Sequence, residues 1–504
     1  MENLDRREFL FLAAAVAAVG GVSSAPAAAA PAAAVKDPFV GIHIAPHSLL
    51  DEGIDYCLDL LKDQAAVTAP MLSPYAYYGA MMRPLFAMGD HGVPKKDNSK
   101  RRLPVIWVRH NEKYFNDTSL RHATPDKTVE YADRDVLMEL AEPLRKRGMK
   151  LYIRIYEPGG QNAARFIGNW SKAVEVGVDD RPLAKPCLNN PEFRAWTAAT
   201  VEDLFANYPL DGIQYGAERC GPLGNMLVAG GLASCFCEHC LARGRSKGID
   251  SQRAKQGFTE LQEYLHALRK GAAAGPDGAL IGFLRILVMY PEILAWERQW
   301  HLANGEVHKL IRDAVKRIRP NAEVGRHVSH IESSFDPFYR AAGPYGEMAE
   351  HADFVKIIVY HEIFGARLLH YLEMVRGTAL KELAPQQALD LFYAIAGHDP
   401  KQQPTLEKLN DGMGPEYVYR EVKRCADSLA AKAKTYAGIG LDIPKGSGWG
   451  TEPLTSDPGR LYKAVRRSFD AGAAGIVISR EYEENQLTSL KTVGRAVRDA
   501  AAGK

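Results

Sequence analysis

Short apolar runs alternate with amphipathic helical stretches along most of this chain, and that alternation restricts its fold more than any other feature. The runs lie at 39–45, 65–72, 150–156, 212–215, 322–328, 354–360, 439–443 and 475–478. Helical periodicity fills the gaps, over 50–63, over 133–147 before Gly148, and over 192–207. Strands separated by helices cannot pair as hairpins, so they pair in parallel. Eight such units predict an α/β fold, the closed (β/α)8 TIM barrel. A doubly wound open sheet is the alternative, but no Gly-x-Gly-x-x-Gly turn follows any of these runs.

Two segments are longer than a barrel connection needs. Residues 80–127 carry another apolar run at 104–108 and predict a loop or hairpin insertion after strand two. Residues 220–319 predict a long helical insertion after strand four, with helical periodicity over 252–270 and 292–318. Both follow strands, so both belong to the C-terminal face, where a barrel keeps its chemistry. Residues 35–504 read as one barrel domain with these insertions. A net charge of +2, with no basic run interleaved with aromatics, gives no reason to expect nucleic acid as a partner. Residues 1–34 read as a targeting segment. Asp5-Arg6-Arg7-Glu8-Phe9-Leu10 resembles a twin-arginine export motif, and an Ala-rich stretch with Ala-x-Ala cleavage sites follows it. The expectation is a bacterial periplasmic or secreted protein without a stable membrane span in its mature form; an uncleaved anchor is the alternative. The oligomeric state is not legible.

The chemistry-bearing residues gather after strands. Cys220 with Cys235, Cys237 and Cys240 offers thiolates to one tetrahedral metal, and four thiolates make a closed, structural zinc site. A disulfide in an oxidising compartment and free thiols are the alternatives. No organic cofactor is expected. Carboxylates gather at strand ends: Glu157 ends strand three, Glu218 and Glu362 follow strands four and six, Asp442 lies in strand seven, and Glu481, Glu483 and Glu484 follow strand eight. Cleaving a glycosidic bond takes two such groups, one acid and one base or nucleophile. His327 and His361, with His43, His47 and His330, stand at the same ends and suit either a sugar hydroxyl or a divalent metal. Tyr75, Tyr77 and Tyr78 present rings on which sugar faces stack, and Arg480 beside Glu481 forms a polar rim.

The cysteine pattern resembles the structural zinc cluster of family 42 glycoside hydrolases, the barrel β-galactosidases. The wider layout, in Asp211-Gly-Ile-Gln-Tyr, Tyr360-His-Glu362 and Ser479-Arg-Glu-Tyr482, is similar to that of exported glycosidase-like barrels. This resemblance implies a carbohydrate substrate and a hydrolase of O-glycosyl bonds. Glu218 would be the acid/base, its pKa raised by burial and by a partner carboxylate, and Asp442 or Glu362 the second carboxylate. Tyr75, Tyr78, Glu157, His327, His361, Arg480 and Glu481 would bind the sugar. The chain departs from the family at Ala217, where the family has Asn before its Glu, and in the order of cluster and Glu. A divalent-metal sugar isomerase or epimerase and a non-catalytic carbohydrate-binding barrel remain as alternatives.

Overall fold

The structure is a computed structural model that describes residues 35–76, 89–94, 96, 102–444 and 455–504. Residues 1–34, expected to be a targeting segment, lie outside the described residues, as do Tyr77 and Tyr78. Eight parallel strands close into a barrel in sequential order. They are β1 (Phe39–Ile44), β2 (Ala69–Leu72), β3 (Tyr152–Tyr156), β4 (Gly212–Gly216), β5 (Glu323–Val328), β6 (Phe354–Ile358), β7 (Lys434–Gly440) and β8 (Gly475–Ser479). β8 closes on β1 with Ile42 opposite Ile478. Each strand is covered on both faces, and so nearly every strand residue is buried.

Side chains alternate along a strand, so one register of each strand faces the barrel interior. At the N-terminal end that register holds Phe39, Tyr152, Phe354 and Tyr436, whose rings pack together. Phe39 stacks on Tyr436 at 4.4 Å, and Phe354 lies 4.5 Å from Tyr436. Glycine faces these rings from the other strands. A Cβ at Gly212 would sit 2.3 Å from the Tyr152 ring, and one at Gly325 would sit 2.0 Å from that of Phe354. The aromatic plug therefore needs both partners, large and small. Two residues further along, the same register turns polar: Arg154, Gln214, His327 and Lys356. The floor of the barrel is apolar and its C-terminal mouth is charged.

The insertions differ in part from the sequence expectation. After β2, the run at 104–108 returns to the strand's end: Tyr75 bridges Ile106, and Ala76 N–H donates to the Val105 carbonyl at 2.8 Å. Helix Glu292–Ile318, expected inside the insertion after β4, packs beside helix Pro191–Asn207 as the barrel helix leading into β5. The extra elements there are the helices Pro222–Val228, Glu238–Ser246, Ser251–Arg269 and Gly278–Met289. A further insertion follows β3. It carries helix Gly160–Phe166 and an antiparallel pair, Val174–Val176 with Pro182–Pro186, before Asn190 caps helix Pro191–Asn207. β7 begins earlier than the apolar run suggested, so Asp442 lies beyond it. Among the described residues no single helix is long and apolar enough to cross a membrane.

Candidate functional site

The barrel mouth is organised by buried charge. Arg154, buried on β3, donates to Ser73 Oγ at 2.7 Å and pairs with Glu481, which follows β8. Its guanidinium also lies over the Tyr156 ring, 5.2 Å from the centroid. The other carboxylate oxygen of Glu481, Oε2, is buried and has no hydrogen-bond partner among the described residues. Burial raises the Glu481 pKa and Arg154 opposes the shift. His43 at the end of β1 faces Gln214, 3.2 Å away, and its burial pulls the imidazole pKa well down, so the ring is neutral.

Glu218, in the turn after β4, anchors a hydrogen-bonded chain. Its Oε1 lies 2.5 Å from His327 Nε2 on β5. The other ring nitrogen of His327 lies 3.4 Å from the Nζ of Lys356 on β6, and that amine lies 3.5 Å from the Tyr360 hydroxyl. Burial lowers the His327 pKa to about 4, so at neutral pH the ring carries one proton. Donating that proton to Glu218 leaves Nδ1 free to accept from Lys356. The Glu218 side chain is 43% exposed. Its desolvation pushes the carboxyl up, but the His327 hydrogen bond and charge, with Lys356 and Arg367, outweigh that and hold it at about 2. The sequence expectation of a raised Glu218 pKa is therefore reversed: the basic groups His327, Lys356 and Arg367 outweigh its burial. Lys356 is fully buried, which lowers its pKa to about 7.

Glu332, which the sequence reading did not single out, is a second shifted carboxyl group on the C-terminal face. It lies on the π-helical turn Ile331–Phe335 after β5 and is 7% exposed. Burial raises its pKa to about 8, with the charge of Glu218 adding to the rise and Arg326 opposing it. The C-terminal face thus carries two carboxyl groups pushed in opposite directions, Glu218 down and Glu332 up.

Gly438 on β7 makes room for this arrangement. A Cβ there would lie 2.3 Å from Lys356 Cε and 2.8 Å from the Ile357 carbonyl oxygen. Backbone cannot yield as a side chain does. Gly438→Ala should therefore destabilise the fold by about 1–3 kcal/mol and displace Lys356. An unchanged denaturant midpoint in the variant would contradict the packing described.

The remaining predicted residues are placed as follows. The Asp442 carboxylate accepts from Ser456 N at 2.8 Å, Ser489 Oγ at 2.7 Å and Gln486 N at 2.6 Å. Glu362 accepts from Ser456 Oγ at 2.6 Å and Asp457 N at 3.2 Å. Both carboxylates hold loops together. His361 is buried, and neither ring nitrogen has a hydrogen-bond partner among the described residues. Tyr75 is buried with its hydroxyl 2.8 Å from His110 Nε2, and His110 Nδ1 lies 2.5 Å from Asp203. Arg480 forms a two-point pair with Glu484, at 2.9 and 2.8 Å. Glu157 is buried 2.8 Å from Arg219. Burial lifts its pKa to about 7 against the pull of Arg219. The histidines and carboxylates of the mouth do not gather into a ligand set among the described residues; the group that does gather is made of cysteines.

That group is Cys187, Cys235, Cys237 and Cys240, whose sulfurs all lie within 4.8 Å of one another. Cys187, not Cys220, is the fourth member, which corrects the sequence expectation. The loop bearing the trio zips onto the antiparallel pair after β3: Val178 N–H donates to the Ala233 carbonyl at 2.9 Å and Phe236 N–H to that of Val176 at 2.8 Å. Cys187 follows that pair directly. Cys220 stays at the start of the loop, before helix Pro222–Val228, and takes no part. The residues present fit a metal. Cys187 Sγ lies 3.4 and 3.5 Å from Cys237 and Cys240, too far for a disulfide and suited to a shared ion. Val176 N–H and Cys237 N–H donate to Cys235 Sγ at 3.3 and 3.4 Å, and Asn189 Nδ2 donates to Cys240 Sγ at 3.3 Å. Such donors stabilise thiolates.

The cysteine clip reaches the mouth through one residue. Arg219, next to Glu218, lies 2.8 Å from Glu157 and 2.9 Å from Glu175, and donates to the Pro186 carbonyl at 2.9 Å. Glu175 accepts from Ser234 Oγ at 2.9 Å. Pro186 and Ser234 are the chain neighbours of Cys187 and Cys235.

No family profile and no curated protein matches the chain. Similar solved structures include a β-galactosidase from the Antarctic haloarchaeon Halorubrum lacusprofundi, at 12% identity and TM-score 0.49, covering 92% of this chain and 58% of that one. A β-galactosidase from the psychrophilic Marinomonas ef1 is 10% identical with TM-score 0.47, covering 92% and 59%. The catalytic domain of a β-amylase from Paenibacillus polymyxa is 11% identical with TM-score 0.46, covering 92% and 100%. The chain thus spans less than two thirds of the length of the two β-galactosidases. Its assignment as a barrel rests on its own strand order.

Proposed function

We propose that this protein is a glycoside hydrolase that works at the barrel mouth with Glu218 and Glu332. What supports this reading is a pair of carboxyl groups on one C-terminal face whose pKa values are pushed in opposite directions. Glycosidic cleavage needs one carboxyl group that donates a proton to the leaving oxygen and one that stays ionised. Glu332 serves as the acid and Glu218 as the base or nucleophile, while His327 holds Glu218 in place. Tyr156 and Tyr360 supply ring faces for the sugar.

The reading has a pH signature. Glu332 is protonated below about 8 and loses its proton as the pH rises through that value. Turnover of aryl glycosides should therefore fall above about pH 8, and Glu332→Gln should remove that limb along with most of the activity. A rate that keeps rising to pH 9.5 would count against Glu332 as the acid. Assay against a panel of aryl glycosides tests the function itself; no hydrolysis of any would move the site to carbohydrate binding.

The cysteine clip is assigned a structural zinc ion with all four positions filled by protein thiolates. Its place is to hold the loops after β3 and β4 together. Export by the twin-arginine route is part of the same reading, since that route carries folded protein with its metal in place.

A further inference from the structure

The charges of the mouth do not balance. Arg154 is matched by Glu481 and Arg480 by Glu484. Lys356 and Arg367 have only Glu218 to share, and neither makes an ion pair among the described residues. Arg367 stands in helix Phe364–Arg376, its guanidinium 5.5 Å from the centroid of the Tyr360 ring, in electrostatic reach of Glu218 and Arg480.

The one side-chain hydrogen-bond contact of Arg367 among the described residues is frustrated. Arg367 Nη1 lies 3.3 Å from His330 Nδ1, and the backbone N–H of Tyr360 points at His330 Nε2, also at 3.3 Å. His330 is buried, and a neutral imidazole has one acceptor nitrogen only. Among the described residues the buried Tyr360 N–H has no other acceptor, so it takes Nε2. The proton then sits on Nδ1 and faces the Arg367 donor. The guanidinium is left with an unmatched N–H in a site that already holds excess positive charge.

We propose that the mouth takes an anionic sugar, a glycoside whose ring carries a carboxylate, with Arg367 binding that carboxylate and Lys356 supporting it from below. A planar carboxylate matches the guanidinium fork, and charge-assisted bonds of this kind are the strong ones. A neutral sugar would leave both the charge and the Arg367 donor unmatched. The inference rests on the hydrolase reading for the word glycoside; the preference for an anion stands on the charges alone.

The test compares D-glucuronate and D-galacturonate with D-glucose and D-galactose as ligands of the full chain by calorimetry. The 4-nitrophenyl glycosides of the same sugars, in both anomers, are assayed for turnover. A uronate should bind at least about tenfold more tightly than its neutral parent, and Arg367→Met should reduce that preference to about twofold or less. Arg367→Lys should recover part of it, which a purely structural role would not produce. Equal affinity for the neutral sugars, or an equal loss for both classes in Arg367→Met, overturns the proposal. The wild-type comparison decides the matter even if the variant does not fold. Uronate binding without any hydrolysis sinks the hydrolase reading and leaves the charge preference. Hydrolysis of neutral glycosides alone does the reverse. A sulfated sugar that binds more tightly than both uronates overturns the carboxylate assignment.

Discussion

Glu218→Gln should lower kcat/KM by about a thousandfold, within the range expected when a positioned acid–base group is removed. The amide keeps the size of the side chain and its reach to His327, so the fold should melt within a few degrees of the wild type. What it loses is the charge. Glu218 is the carboxylate that His327, Lys356 and Arg367 hold ionised down to about pH 2. An amide in its place leaves Lys356 and Arg367 without a shared counter-charge and leaves no ionised group to act as base or nucleophile. The measurement is steady-state turnover of whichever aryl glycoside the wild type cleaves best. A variant that retains a tenth or more of wild-type activity would remove Glu218 from the mechanism.

Cys187→Ser should abolish metal binding and destabilise the protein by about 4 kcal/mol or more, the scale reached when a structural metal is lost. Cys220→Ser should leave the metal content unchanged. The pair of variants separates the four-cysteine group seen in the fold from the one read along the chain. Metal analysis of purified protein gives the stoichiometry, and thermal melting gives the stability. Equal metal loss in both variants, or loss only in Cys220→Ser, would refute the assignment. The clip also bears on the mouth. Pro186 and Ser234, beside two of the ligands, hold Arg219 directly and through Glu175. Turnover should therefore fall in Cys187→Ser even below its melting temperature.

Seven of the eight barrel strands lie where the apolar runs stand, because strands buried on both faces are continuously apolar and helices between them show a different period. Strand β7 begins at Lys434, ahead of the apolar run at 439–443. Its inward positions, Tyr436 and Gly438, serve the aromatic plug and the space around Lys356, so its first half does not read as an apolar run. Lys356 itself was legible in principle, as the one charge inside the strand Phe-Val-Lys-Ile-Ile. Glu332 and Arg367 had no such signal. A carboxylate on a turn and an arginine on a helix are ordinary on any surface, and only their burial at the mouth sets them apart.

The chain by itself determined the barrel, the face that carries the chemistry and Glu218 as a residue of that face, since periodicity and strand ends are local properties. Tertiary structure decided what is set by distance between remote segments. It replaced Cys220 with Cys187, because hydrogen bonds between two insertions bring the trio to the end of the hairpin after β3. It reversed the direction of the Glu218 pKa, because His327 and Lys356 come from strands more than a hundred residues further along the chain. Coulomb energy depends on separation in space and on burial, and neither can be read from separation along the chain.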